Sequence, residues 1–476
     1  MKEEKKSKKG FYCAKISAFQ LAMLTVAYVA SVRALAMMSE YGFSSLFYYL
    51  LAALMFLLPS ALVSAELATA WPDRGGVYVW VKEALGGGWG FLAIWLQFLT
   101  NVVNLPAFLS FLAATAAYIF MPQLANNKYF LISFILVVFW GSTFISFLGM
   151  KTAGWLNTFG AITGTLVPLS IILILSMVWL GMGHKSQIVF SFKTFLPDFK
   201  HMQVGNLVFL AGLLYAFTGM ETSGAHALDV ENTRKNYPRG IFLATIIISL
   251  VGLGAVAIAI VVPAKNVSLI AGIMQAFTVF LTNFHLGWAV PILAFLIVAG
   301  AIGCLNSSII GPSKGFFGAA SGGEIPPILT KVNKHCMPVN MFIFQGIVVT
   351  IITMLFLLMP TINSSYWLIA DTVTIIYLLM YILLFISAIV LRYKRPDAKR
   401  AYKIPGGNWG MWIVAGFGLI SSVFGIVIGF FPPSQFKVGN ILVYEAMILT
   451  GILFFLAVGF LIYIKRKPHW VIDIDV

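Results

Sequence analysis

The chain has 476 residues, 60% of them hydrophobic and only 10% charged, with a mean hydropathy of +0.94. A soluble domain carries roughly 25% charged residues, so a chain this long and apolar is not a water-soluble globular protein. Its formal charge of +15 sits in short runs between apolar stretches, such as Lys5-Lys6-Ser7-Lys8-Lys9 and Arg392-Tyr393-Lys394-Arg395. That is the pattern of topogenic loops facing an anionic bilayer, not of a nucleic-acid-binding surface.

A bilayer core takes about 20 apolar residues per helix. In chain order the apolar stretches predict twelve spans, at 16–39, 43–70, 88–120, 129–148, 153–182, 204–228, 239–262, 286–312, 338–359, 365–391, 409–431 and 441–464. The fold class is therefore all-α integral membrane. The basic N-terminus, 1–15, leads into the first stretch without a small-residue cleavage pattern, so that stretch is expected to remain as a span. Connections on the N-terminal side hold 24 of the 31 Lys and Arg residues, whereas the opposite side holds six. This asymmetry predicts an even number of spans with both termini cytoplasmic. The segments near 264–283 and 313–336 are candidates for short interfacial or re-entrant helices. The tail 465–476 is too short for a regulatory domain. Cys13, Cys304 and Cys336 are odd in number and far apart, which fits free thiols better than a metal site.

Two spans carry irregularities. The first reads Val29-Ala30-Ser31-Val32-Arg33-Ala34, and the sixth reads Phe217-Thr218-Gly219-Met220-Glu221-Thr222-Ser223-Gly224. They lie five spans apart, as two five-helix inverted repeats (16–182 and 204–391) followed by a peripheral pair (409–464) require. A helix broken at mid-membrane frees backbone N–H and C=O groups that hold the carboxylate and ammonium of an amino acid. Ala30, Ser31, Val32 and Arg33, with Phe217, Thr218, Gly219, Met220 and Glu221, are therefore the candidate substrate-binding residues. Intramembrane carboxylates are usually functional. Glu221 is accordingly the candidate for gating or proton coupling, beside a structural alternative in which it bonds exposed N–H groups at the break.

Arg33 fits three situations: binding an anionic substrate group, pairing with Glu40 or Glu66, or snorkelling outward. Asp371, near the start of the tenth span, reads as an entrance or helix-end charge, and Glu66, a few residues before the Trp71-Pro72 stop, as an interfacial structural one. Amides at Gln97, Asn101 and Asn104, polar groups at Asn306, Ser307 and Ser308, and the pair Tyr377 and Tyr381 add candidates for the site or for helix-to-helix bonds. His226 suits a cap or an interface. Gly86-Gly87-Gly88-Trp89-Gly90 and Gly311-Pro312-Ser313-Lys314-Gly315 lack the setting of a phosphate loop. There is no metal-ligand cluster and no nucleophile–base arrangement, so neither a cofactor nor an enzymatic activity is expected.

Several motifs in order carry a family resemblance. They are Ala65-Glu66-Leu67-Ala68-Thr69, Gly75-Gly76-Val77-Tyr78-Val79-Trp80-Val81, Leu196-Pro197-Asp198-Phe199, Gly219-Met220-Glu221 and Asn236-Tyr237-Pro238. Further on come Gly272 to Val279, Gly311 to Gly315 and Tyr402-Lys403-Ile404-Pro405-Gly406-Gly407. Along nearly its whole length the chain resembles the amino acid–polyamine–organocation superfamily, and within it the bacterial glutamate/GABA antiporters. The resemblance implies a LeuT-like fold, alternating access and amino-acid exchange at the bacterial inner membrane. It places the helix-six glutamate, Glu221, at the cavity, and implies no sodium site. The chain departs from those antiporters at Cys304, where they carry a glutamate, at Ser308, where they carry an aromatic residue, and at Arg33. Their long plugging tail is unmatched too. Asn101, Cys304, Ser307 and Ser308 complete the expected pocket, with Tyr377 beside Glu221 in gating. The expected function is an amino-acid antiporter or a proton-coupled permease for an acidic or neutral amino acid or a GABA-like substrate. The expected partners are that substrate, the bilayer and, in the proton-coupled case, protons; monomer and homodimer stay open. A sensor that binds without carrying, or an ion channel, are the competing classes.

Overall fold

The computed structural model describes residues 16–29, 32–72, 75–147, 160, 162–198, 204–227, 229–318, 323–335, 337–435, 437–467 and 470. The described residues are overwhelmingly helical and contain no strand, only two isolated bridges. In chain order the helices are α1 (Ala18–Val29), α2 (Arg33–Ser39), α3 (Gly42–Ala70), α4 (Val77–Leu85), α5 (Gly87–Phe120), α6 (Lys128–Ser146) and α7 (Ile162–Gly181). They continue as α8 (Phe209–Ala216), α9 (Thr233–Val261), α10 (Gly272–Asn283), α11 (Ala289–Gly318), α12 (Val339–Leu358), α13 (Ile362–Lys394), α14 (Gly407–Gly429) and α15 (Ile441–Ile464). Among the described residues, eleven segments are long and apolar enough to cross a bilayer. The first expected span is occupied by α1 and α2; Ala30 and Ser31 between them lie outside the described residues. The chain is a multi-pass membrane protein.

Several boundaries differ from the apolar pattern, because capping and polar helical extensions lie beyond the bilayer. α13 begins at Ile362 rather than near 365, since Thr361 caps it: the Thr361 hydroxyl accepts the Ser364 N–H at 3.1 Å and Ser364 reciprocates at 3.0 Å. α9 begins at Thr233, six residues before the apolar run, and α11 continues to Gly318. Of the two expected short helices, 264–283 contains α10; in 313–336 the described residues form the end of α11 and turns, and 319–322 and 336 lie outside the described residues.

α5 and α13, each about 50 Å long at 1.5 Å per residue, form the centre, and most of their side chains are buried. α11 packs on α5 and α14 on α13, while α15 shows lipid most of its surface. α7 crosses α11 at backbone contact: a Cβ on Gly160 would lie 2.4 Å from the Gly300 carbonyl, and one on Gly300 would lie 2.5 Å from the Gly164 nitrogen. Small residues are what allow such an approach.

A buried ion cluster ties α3 to α13. The Glu66 carboxylate receives Arg392 at 2.6 Å, Arg400 at 3.1 Å and the Ile404 N–H at 2.8 Å. Glu66 is thus structural, as read from the sequence, but fully buried instead of interfacial. Asp371 is also buried, although the sequence suggested an entrance or helix-end charge. It lies in the third turn of α13, accepts a hydrogen bond from Tyr444 of α15 at 3.2 Å and packs against Gly429 of α14.

Candidate functional site

A cavity of about 500 Å³ opens between α1, α2, α5, α7, α11, α13 and the segment following α8. That volume lies in the ~300–1,000 Å³ range of small-molecule sites. Its walls follow from helical spacing. Tyr366, Ala370, Thr374 and Tyr377 make one stripe of α13, and Asn101, Asn104, Leu105 and Phe108 make one of α5.

The backbone breaks where the sixth span was expected to break. α8 ends at Ala216, Gly219 adopts φ +107°, and a 3₁₀ turn runs from Met220 to His226. Only glycine accepts that φ at little cost, and a Cβ there would also press on the Tyr28 ring at 3.0 Å. The Gly219 N–H, freed by the break, donates to the Tyr381 hydroxyl at 2.8 Å.

Glu221 lies behind this wall, fully buried. Its Oε1 accepts from the Tyr377 hydroxyl at 2.5 Å and from the Gln97 amide at 3.2 Å, and its Oε2 accepts from the Tyr381 hydroxyl. Three donors on two carboxylate oxygens meet the demand that buried polar groups be paired. Tyr377 and Tyr381 lie one turn apart on α13, which aims both hydroxyls at one carboxylate. One turn on along α5, the Asn101 side-chain amide donates back to the Gln97 backbone carbonyl at 2.8 Å. The Tyr28 hydroxyl donates to the Asn101 side chain at 3.3 Å.

The candidate residues divide into two groups. Val32, Arg33, Asn101, Thr218, Cys304, Ser308 and Tyr377 line the cavity. Phe217, Gly219, Met220 and Glu221 stand behind it: Phe217 packs edge-on against Tyr49, and Met220 is fully buried. Ala30 and Ser31 lie outside the described residues, as do the side chains of Ser307 and His226. Arg33, the first residue of α2, hydrogen-bonds Tyr215 and lies 5.9 Å from the centre of the Phe108 ring. Among the described lining residues it is the one that carries a formal charge. Glu66, offered by the sequence as a partner for Arg33, is engaged with Arg392 and Arg400.

Tyr28, Tyr215, Tyr366 and Thr222 also line the cavity and were not singled out from the sequence. Spacing gave no signal for them, because tyrosines are common wherever a buried ring has a polar tip to satisfy. No group of His, Cys, Asp and Glu suited to a metal occurs among the described residues.

Comparison with known proteins places this architecture. The family model described as "Amino acid permease" matches residues 16–457. An uncharacterized transporter of Legionella pneumophila is 39% identical over 95% of this chain and 97% of its own length. A glutamate/gamma-aminobutyrate antiporter of Lactococcus lactis is 34% identical over 94% of this chain and 90% of its own. A probable agmatine/putrescine antiporter of the same species is 25% identical over 95% of each chain. The chain belongs to the amino acid permease family, within the amino acid–polyamine–organocation superfamily.

Proposed function

We propose that the chain is an amino-acid exchanger of a bacterial cytoplasmic membrane, working by alternating access on two inverted repeats, with both termini inside. The observation that carries this is the cavity itself. A pocket of small-molecule size, mainly apolar but carrying hydroxyl and amide groups at Tyr28, Asn101, Thr218 and Ser308, is bounded by the broken sixth span, with Arg33 as the formal charge on its described walls. In this reading the backbone ends at the breaks hold the α-carboxylate and α-ammonium groups. The zwitterion is then neutral in sum, and the positive charge of Arg33 at the cavity wall favours a substrate with an anionic side chain. An acidic amino acid is accordingly the preferred substrate.

Glu221 does not touch the substrate in this reading. It acts through Tyr377, which presents one face to the cavity and its hydroxyl to the carboxylate. A proton exchanged at Glu221 changes which oxygen donates in the Glu221–Tyr377–Tyr381 set, and so biases the helix-six break against α13. The agreement of loop charge with an even span count supports the orientation.

The test is counterflow in proteoliposomes loaded with unlabelled amino acids, with a labelled panel outside at about pH 5.5 and 7.5, bracketing neutral-range proton coupling. Saturable uptake that requires internal counter-substrate, and is strongest for an acidic member, is the expected result. Arg33→Gln should raise KM for that member by about 10–100-fold, the ~1.5–3 kcal/mol of a charge-assisted contact. Neutral members should change little. Uptake of every member without counter-substrate, or an equal Arg33→Gln effect on all members, overturns the reading.

A further inference from the structure

A second recess lies on the outside of the bundle, between α13 and α14, with a volume of about 600 Å³ and almost wholly apolar walls. Ile386, Ile389 and Val390 form one side from α13, and Leu419 forms the other from α14. Gly416 lies on the same α14 stripe, between the lining residues Trp412 and Leu419. A Cβ there would meet nothing within 4 Å, although α13 and α14 are closely packed beside it. From Ile386 to Lys394 the recess runs about 12 Å along the helix axis, slightly less than one leaflet of a ~30 Å hydrocarbon core.

Its ends differ in chemistry. The Ile386–Leu419 end is aliphatic. At the other end stand Tyr393, Lys394 and Trp412. The Trp412 indole N–H donates to the Tyr393 hydroxyl at 2.9 Å, which leaves that hydroxyl its own proton to donate. Lys394 donates to the carbonyls of Glu83 and Ala84, both at 3.2 Å, so one of its three N–H bonds remains. Arg395, Lys399 and Lys403 are exposed just beyond, against the acids Glu83 and Asp397, and Trp409 is 80% exposed. Exposed tryptophans and cations at a span end mark the headgroup level.

We propose that this recess is a binding site for one anionic phospholipid, with an acyl chain over Gly416 and its phosphate between Lys394 and Tyr393. Charge complementarity favours a lipid over a second copy of the chain, whose equivalent surface would bring the same cations together. The site is separate from the transport cavity, and it stands or falls independently of which amino acid is carried.

The experiment is native mass spectrometry of the purified full-length protein released from mixed micelles of dioleoylphosphatidylglycerol and dioleoylphosphatidylcholine. Retention of one phosphatidylglycerol per chain, in preference to phosphatidylcholine, is expected. Lys394→Gln should remove the preference while leaving weak retention of either lipid. Gly416→Leu, which adds a side chain on the stripe between Trp412 and Leu419 where a Cβ meets nothing within 4 Å, should abolish retention with an unchanged melting temperature. Equal retention of both lipids by the native protein overturns the proposal, as does full retention in Gly416→Leu. So does a dimer that Gly416→Leu dissociates, since that assigns the recess to a second copy.

Discussion

Glu221 was visible in the sequence because an acid in an apolar run is expensive, and Tyr377 and Tyr381 because they are one turn apart. Their meeting was not visible, since it depends on how α13 packs against the segment after α8, 160 residues earlier in the chain. The same holds for Gln97, whose amide spacing announced a polar stripe but not its target. Tyr377→Phe removes one of three donors and leaves a carboxylate oxygen under-satisfied, at about 1–3 kcal/mol. We expect slower exchange with an altered pH profile, measured in proteoliposomes at several pH values. Glu221→Gln, which keeps the shape but cannot exchange a proton, should flatten that profile. Glu40 offers a stability test at the end of α2, outside the spans, where burial pushes its carboxyl up to about 7. The folded chain therefore binds a proton there that the unfolded chain has released by about pH 4.5. Its contribution is fully present below that pH and is lost as pH rises through 7. Raising the pH from 5 to 8 should lower the melting temperature of the native protein more than that of Glu40→Gln, by differential scanning fluorimetry in detergent.

At the scale of elements, helix positions were largely legible and helix ends were not. Apolar length locates α5, α12, α14 and α15 to within a few residues, because hydrocarbon thickness dictates it. It misses the start of α13, which the Thr361–Ser364 box sets, and the start of α9, which is polar. It also misleads about Asp371: near a predicted span edge an acid looks exposed, whereas three added residues of helix and the cover of α14 and α15 bury it. The crossing of α7 and α11 was not legible either, because glycines scattered through apolar runs do not reveal which helix they meet. It is nonetheless severe. Gly300→Leu must separate backbones that are now in contact, and overpacking of this kind costs about 1–3 kcal/mol or more. A lower melting temperature together with loss of transport is the expected outcome, while Gly141→Leu, where a Cβ meets nothing within 4 Å, should leave both unchanged.

For the whole molecule, the charge of the connections predicted a sidedness that labelling can check. Single cysteines replacing Lys403 and Lys437 in a chain cleared of its native cysteines should react with a membrane-impermeant maleimide from opposite faces of the cell membrane. Reaction of both from outside intact cells would overturn the orientation. The inverted-repeat reading came from the distance between two irregular spans, and the family match gives it a setting, but which residues touch the cavity needed the packed bundle. One more consequence concerns manufacture. Glu66 finds its arginine 326 residues later in the chain. At a translation speed of roughly 5–20 residues per second, about 15–65 seconds separate the emergence of this acid from that of its counter-ion. For that interval the newborn protein lacks the arginines that neutralise Glu66 in the folded state, and only the arrival of Arg392 and Arg400 closes the cluster. Ribosome-stalled chains ending before Arg392 should therefore be the ones that membrane quality-control proteases select.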